Sequence, residues 1–138
     1  MSRRAGGLKP TIRVVAAVIY DSQRRVLISE RPAGKTLAGC WEFPGGKVED
    51  GESGEAALRR ELLEELGVRA HALHWVLELR HEYPERHVEL SVWVVDDYSG
   101  VPAGLEGQGL RWETAAQLRS IALLPADEPI VEWLERVN

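Results

Sequence analysis

The apolar positions along the chain follow two periods. "TIRVVAAVIY" (11–20) is β-branched and almost continuously apolar, which predicts a strand buried on both faces. "DSQRR" reads as a turn, and "VLISER" (26–31) as an antiparallel strand returning beside the first. "HALHWVLELR" (71–80) alternates Leu73, Trp75, Leu77 and Leu79 against His74 and Glu78. "HVELSVWVV" (87–95) alternates in the same way at Val88, Leu90, Val92 and Val94, so with the link "HEYPER" the two predict a long hairpin. Between these strand signals the period changes. From Ser53 to Leu66 the apolar stripe Leu58, Leu62, Leu66 has helical spacing, with Ser53 as N-cap, Glu55 at the positive end of the dipole and Gly67 just past the end. Arg59 interrupts that stripe. "PAGKTLAG" reads as loop, "CWEF" (40–43) as a short strand stopped by Pro44, "LRW" (110–112) as a last strand and "TAAQLRS" as a short helix. "PADEPIVEWLERV" predicts a C-terminal helix with Asp127 as candidate N-cap and Pro129 in its first turn.

This order of elements predicts an α+β fold, an α/β/α sandwich with a mixed sheet packed between helices. At 138 residues the chain has the length of one domain, expected over 11–138 behind a flexible tail at 1–10. The net charge of −5 comes without any basic stripe, which argues against duplex nucleic acid as a partner. Cys40 is the single cysteine, so no intrachain disulfide forms and a reducing, cytoplasmic setting is expected. "MSRRAGGLKP" lacks the apolar stretch of a signal peptide, and no apolar run is long enough for a bilayer, so no membrane partner is expected. A monomer or a weak homodimer is the expected state.

The helix carries an unusual charge cluster. Glu61, Glu64 and Glu65 stand at i, i+3 and i+4, which places them on one face within an arc of about 100°. Three carboxylates so placed repel one another unless a cation lies between them. Two readings follow: a solvated acidic face, or a site for a hard divalent cation with oxygen ligands, Mg²⁺ or Mn²⁺, since no Cys or His joins the cluster. The lead-in favours the second. Gly46, Glu52 and then Arg60-Glu61-Leu62-x-Glu64-Glu65-x-Gly67-Val68 form one spaced pattern across 46–68.

That loop–helix–loop resembles the signature of the Nudix hydrolases, with every position filled. The resemblance implies a divalent metal held against the diphosphate of a nucleotide. It implies Glu61, Glu64 and Glu65 as metal-binding and base positions, the Gly45 carbonyl as a further metal ligand, and Arg60 as the partner that holds the glutamates, with Glu52 bracing the loop. Glu52 and Arg60 are equally compatible with a purely structural ion pair. The flanking segments "ISERPAG", "LAGCWEFPGGKVEDGES", "YPERHVELSVWVV", "LEGQGLRW" and "LPADEP" look like the MutT branch of that family. This likeness implies hydrolysis of a nucleoside triphosphate such as 8-oxo-dGTP to the monophosphate and pyrophosphate.

By the same resemblance Arg31 lies near the phosphates or the base edge, Phe43 forms an apolar wall of the base pocket, and the backbone of Glu42, Phe43, Pro44 and Gly45 lines the site. Glu106 matches a further carboxylate near the metal. Plainer readings stand beside these: Phe43 as core, Glu106 as a surface acid, Arg31 as solvated. Two positions depart from the MutT pattern. Asp127 stands where an asparagine reads the base, and Thr36 where a histidine faces the substrate. An ionised Asp only accepts hydrogen bonds, which suits the N1–H and 2-amino donors of guanine and also the 4-amino group of cytosine. CTP, dCTP or a methylated cytosine nucleotide is therefore the alternative substrate, and a catalytically silent nucleotide-binding module is the alternative class. His71, His74, His81 and His87 lack ligand spacing and read as surface residues. Trp75, Trp93, Trp112 and Trp133 read as core or interface, and Trp41 as bordering the site.

Overall fold

The computed structural model describes residues 9–137. In chain order these form β1 (Thr11–Val18), β2 (Val26–Glu30), β3 (Trp41–Glu42), β4 (Gly45–Lys47), α1 (Gly54–Leu66), β5 (Arg69–Tyr83), β6 (Arg86–Ser99), β7 (Leu110–Glu113) and α2 (Ala115–Leu118). A 3-10 turn over Pro125–Asp127 leads into α3 (Glu128–Val137). One sheet has the order β4-β1-β6-β5 and a second the order β3-β2-β7.

β1 is the hub. It pairs antiparallel with β4 and parallel with β6, and its side chains alternate between two cores. Val15, Ala17 and Ile19 pack with the α1 leucines Leu58, Leu62 and Leu66, while Ala16 and Val18 pack with Leu118 of α2 and Ile130, Val131 and Leu134 of α3. A strand with helices over both faces needs apolar side chains at every position, which is the pattern of 11–20. The layers are therefore helix, sheets, helix.

β2 departs from expectation. It meets β1 only near the turn, at the Tyr20–Val26 bridge and where the Leu27 N–H donates to the Ile19 carbonyl over 3.1 Å. It then leaves to centre the second sheet. Both edges of β1 are already taken, by β4 and β6, so no place beside it remains. β4 was not legible either, since Gly-Gly is a weak strand former. Its register with β1, Ala16 opposite Gly45, explains the composition: a Cβ on Gly45 would run into the backbone carbonyl of Val15.

The hairpin of β5 and β6 forms as expected, but its alternation slips. Register shifts at Ala70/Ala72, Ala72/Leu73 and Trp75/Leu77 change which face of β5 points inward. Leu73 packs into the core under α1, whereas Val76, Leu77 and Leu79 pack into the opposite core. Trp75, expected in the core or at an interface, is turned out of the core and 54% exposed. Trp93, Trp112 and Trp133 are half-buried against the cores, as expected.

α1 has the predicted boundaries. The Ser53 hydroxyl accepts from the Ala56 N–H over 3.1 Å, and Gly67, at φ 70°, turns its end back on the Leu62 and Leu63 carbonyls. Replacing Ser53 with Ala should cost about 1 kcal/mol, read as a midpoint lowered by a few degrees in thermal melting. Arg59 leaves the stripe along its rim, donating to the Ala70 carbonyl and pairing with Glu55 at 2.9 Å. Asp127 is not an N-cap. Its carboxylate is turned away from α3 and accepts from the Phe43 N–H over 2.9 Å. Of the expected tail, residues 1–8 lie outside the described residues; Lys9 bonds Glu82 and the Tyr83 carbonyl, and the Pro10 carbonyl accepts from the His87 N–H. Among the described residues no helix is long and apolar enough to cross a membrane.

Candidate active site

Arg60 organises the loop–helix–loop. Its Nε and Nη2 donate to the two oxygens of Glu52 over 2.8 and 3.0 Å, a bidentate pair, and Nη2 also reaches the Lys47 carbonyl at 3.0 Å. Nη1 meets Glu61 at 3.0 Å and Glu64 at 3.4 Å. Glu52 in addition accepts from the Glu49 N–H over 3.0 Å, closing the turn that approaches the helix. Hydrogen bonds from Arg60 and from that N–H hold the Glu52 carboxyl down at about 2, and the Glu52 and Glu61 carboxylates push the Arg60 guanidinium further up. The pair fastens the loop to the helix, and Arg60 also holds the carboxylate of Glu61.

Where this helix face meets both sheets there is a cleft of about 750 Å³, the size of a nucleotide site. Glu61 and Glu65 line it, and so do Gly45, Gly46, Glu42 and Glu106. Glu64 does not; its side chain is 55% exposed and leans to Arg60. The three glutamates thus share a helix face without sharing one environment. Burial pushes the Glu65 carboxyl up to about 10, reinforced by a hydrogen bond and charge from Glu61 and by the charges of Glu106 and Glu42. Carboxylates that must hold a proton to coexist form a ready receptor for a cation. Among the described residues no three such groups converge on one point. The acids lining this end nonetheless offer the oxygen donors that a hard divalent ion takes, and Gly46 leaves the Glu61 carboxylate the space that a Cβ would occupy. Glu61, Glu65 and Glu106 would hold the ion.

The other end of the cleft is different in character. Phe43, buried in the core under α3, presents one side to the cleft, and its N–H bonds the buried Asp127. Burial raises the Asp127 carboxyl to about 7, the Phe43 N–H opposing that rise and the charge of Glu42 adding to it. Arg31 pairs with Glu42 at 3.2 Å and donates to the Thr36 carbonyl and hydroxyl at 2.8 and 3.3 Å, clipping the 32–39 loop to β3. Glu42 therefore faces the cleft through its side chain as well as its backbone, and burial raises its carboxyl against the pull of Arg31.

Two expected neighbours lie elsewhere. Strand alternation that turns Glu42 to the cleft turns Trp41 away from it, into a groove with Arg111 stacked at 5.2 Å. Pro44 sits behind the wall, its carbonyl bonded to the Ala17 N–H at 2.8 Å. Other lining residues were not singled out by sequence reasoning: Ser29, Lys35, Lys47, Tyr83, Arg86 and Gln108. Tyr83 and Arg86 stand at the tip of the β5–β6 hairpin, stacked at 4.8 Å, and "YPER" reads locally as nothing but a turn. The histidines stay at the surface or edges, His71 on Ser99, His74 on Asp96 and His87 on Glu82.

A braced acidic loop and helix beside a nucleotide-sized cleft is the layout of a hydrolase of phosphoanhydride bonds. The family model of the NUDIX domain matches residues 15–133, and the chain belongs to the Nudix hydrolases. Two relatives from Escherichia coli K12 cover most of it: an 8-oxo-dGTP diphosphatase, 35% identical over 91% of this chain and 98% of its own, and a CTP pyrophosphohydrolase, 41% identical over 88% and 89%. Among solved structures the E. coli ORF135 protein superposes with a TM-score of 0.82 at 39% identity, over 94% of this chain and 91% of its own. A MutT structure from work on the Aliivibrio salmonicida and Vibrio cholerae proteins gives 0.78 at 34% identity, over 90% and 96%.

Proposed function

We propose that this enzyme hydrolyses a nucleoside triphosphate to the monophosphate and pyrophosphate with Mg²⁺, and that its substrate is an oxidised guanine nucleotide such as 8-oxo-dGTP. The carrying observation is the cleft itself, with the acids Glu61, Glu65 and Glu106 at one end and Phe43 and buried Asp127 at the other. Seven acidic and four basic residues line it, so a triphosphate enters only with its charge offset. Mg²⁺ held by Glu61, Glu65 and Glu106 would supply that offset and would lower the pKa of a water there. The water oxygen bonds to the β-phosphorus as the bond to the α,β-bridging oxygen breaks, and the monophosphate leaves. The Glu61–Glu65 pair takes the proton of the water. Arg60 keeps Glu61 in place throughout, because its charge does not vary with pH. At the base end an ionised Asp127 accepts from guanine N1–H and the 2-amino group. A free Cys40 suits the reducing cytoplasm in which such a nucleotide pool resides.

A second substrate reading has its own observation. With its carboxyl raised to about 7, Asp127 is also present as the acid, which donates to cytosine N3 while accepting from the 4-amino group. Comparing kcat/KM for 8-oxo-dGTP, dGTP, CTP, dCTP and 5-methyl-dCTP in Mg²⁺ separates them. We expect 8-oxo-dGTP to lead the panel by at least about tenfold, the scale of one recovered base-edge hydrogen bond. A lead for CTP or 5-methyl-dCTP replaces the substrate and keeps the reaction, whereas no pyrophosphate from any of them removes both.

A further inference from the structure

Glu106 stands on a loop that lines the cleft with Glu65, and its charge bears on the Glu65 carboxyl; loops hold side chains loosely unless something ties them down. Here the tie is specific. The segment before β7 folds onto the last turn of α1, where helix carbonyls have no intrahelical partner. The Ala103 N–H donates to the Leu66 carbonyl and the Leu105 N–H to the Glu65 carbonyl, each at 3.1 Å. A tight turn follows, with the Gly107 N–H on the Gly104 carbonyl at 3.0 Å and Gly107 at φ 81°. Within this turn lies the amide of Gln108. Its Nε2 donates to the Glu65 carbonyl over 3.1 Å, and its Oε1 accepts from the Glu106 N–H over 2.9 Å. One end of the amide can only donate and the other only accept, so both bonds fix one orientation.

We propose that Gln108 is a positioning residue for the reaction: its side-chain amide clips the backbone of Glu106 to the end of α1 and so sets the Glu106 carboxylate beside Glu65. This rests on the reading that Glu106 belongs to the metal-binding set. The clip joins the main chains of two residues whose carboxylates both belong to the cleft lining. The spacing of those carboxylates is therefore set by an uncharged group that does not titrate. Without it the backbone bonds at 103 and 105 still close the helix, so the fold survives while the 106 side chain swings free.

Gln108→Ala and the volume-matched Gln108→Met are compared with the parent in three measurements: Mn²⁺ affinity without nucleotide, steady-state kinetics, and thermal melting. Both variants are expected to weaken Mn²⁺ binding and to lower kcat by about tenfold each, the usual scale for a group that orients a metal ligand. KM should stay within about twofold, and the melting midpoint nearly unchanged. The decisive arm repeats Gln108→Met in a Glu106→Gln background. If the amide acts through Glu106, the second change adds less than about twofold to the first. Gln108 is misassigned if Glu106→Gln lowers both readouts while Gln108→Met either does nothing or multiplies its full effect onto it. If Glu106→Gln alone leaves Mn²⁺ affinity and kcat untouched, the reading of Glu106 falls, and this inference falls with it.

Discussion

Glu61→Gln is expected to slow turnover about a thousandfold while leaving a folded protein, the loss that follows when a carboxylate serving proton transfer and metal binding is neutralised. The carboxylate of Glu61 is fixed from two sides, by Arg60 at 3.0 Å and by the closed approach over Gly46. A carboxamide keeps the shape and one acceptor for Arg60 but loses the charge. Circular dichroism and the melting midpoint should match the parent within a few degrees, since Glu52 still anchors Arg60 by its bidentate pair. Near-normal hydrolysis of the best triphosphate by a folded Glu61→Gln protein would overturn the assignment. The geometry adds a ranking. Glu65→Gln should be nearly as damaging, whereas Glu64→Gln should cost much less, because the Glu64 side chain lies outside the cleft and leans on Arg60.

The second large effect belongs to Asp127, through pH. Its carboxyl titrates near 7 in the fold and near 3.8 in the unfolded chain, so the folded protein holds a proton that the unfolded chain has already lost. The raised value means that its contribution to stability is complete below about pH 4 and is lost as pH rises through 7, by no more than about 4 kcal/mol. Asp127→Asn keeps an oxygen for the Phe43 N–H and cannot titrate. Its stability should therefore vary less between pH 5 and 8 than that of the parent, as read by urea denaturation at several pH values. Kinetics should move with the same group. For a guanine substrate, kcat/KM should rise as Asp127 ionises and turns both oxygens into acceptors, and Asp127→Asn should flatten that limb. Identical pH profiles for the two proteins would remove Asp127 from base recognition.

How much of this was legible beforehand depended on whether the cause was local. α1 was readable to the residue, because Ser53, Glu55, the leucine stripe and Gly67 are consecutive and each acts within a turn. The glutamate spacing was readable for the same reason. What the helical period could not distinguish was the fate of Glu64 against that of Glu61, since the difference comes from Arg60 and the sheets beyond it. β2 was misplaced because strand choice is a competition, and β4 and β6 hold both edges of β1. Asp127 looked like a cap from its neighbours in sequence, but its partner is 84 positions away. Tyr83 and Arg86 lie in a segment that carries the family likeness but no site reading of their own; a hairpin tip becomes a cleft wall only once the sheet is folded.

The slipped alternation of β5 has a consequence outside catalysis. This strand is 15 residues long and forms the outer edge of its sheet, with a row of backbone groups facing away from β6. A flat edge of that length is a template on which other chains can assemble. The three register shifts bend and twist it, and Glu78, Arg80 and Glu82 set charge along it. The irregularities that spoil the sequence pattern thus act against fibril growth, and removing the Trp75/Leu77 shift by deleting Val76 would be expected to trade solubility for regularity.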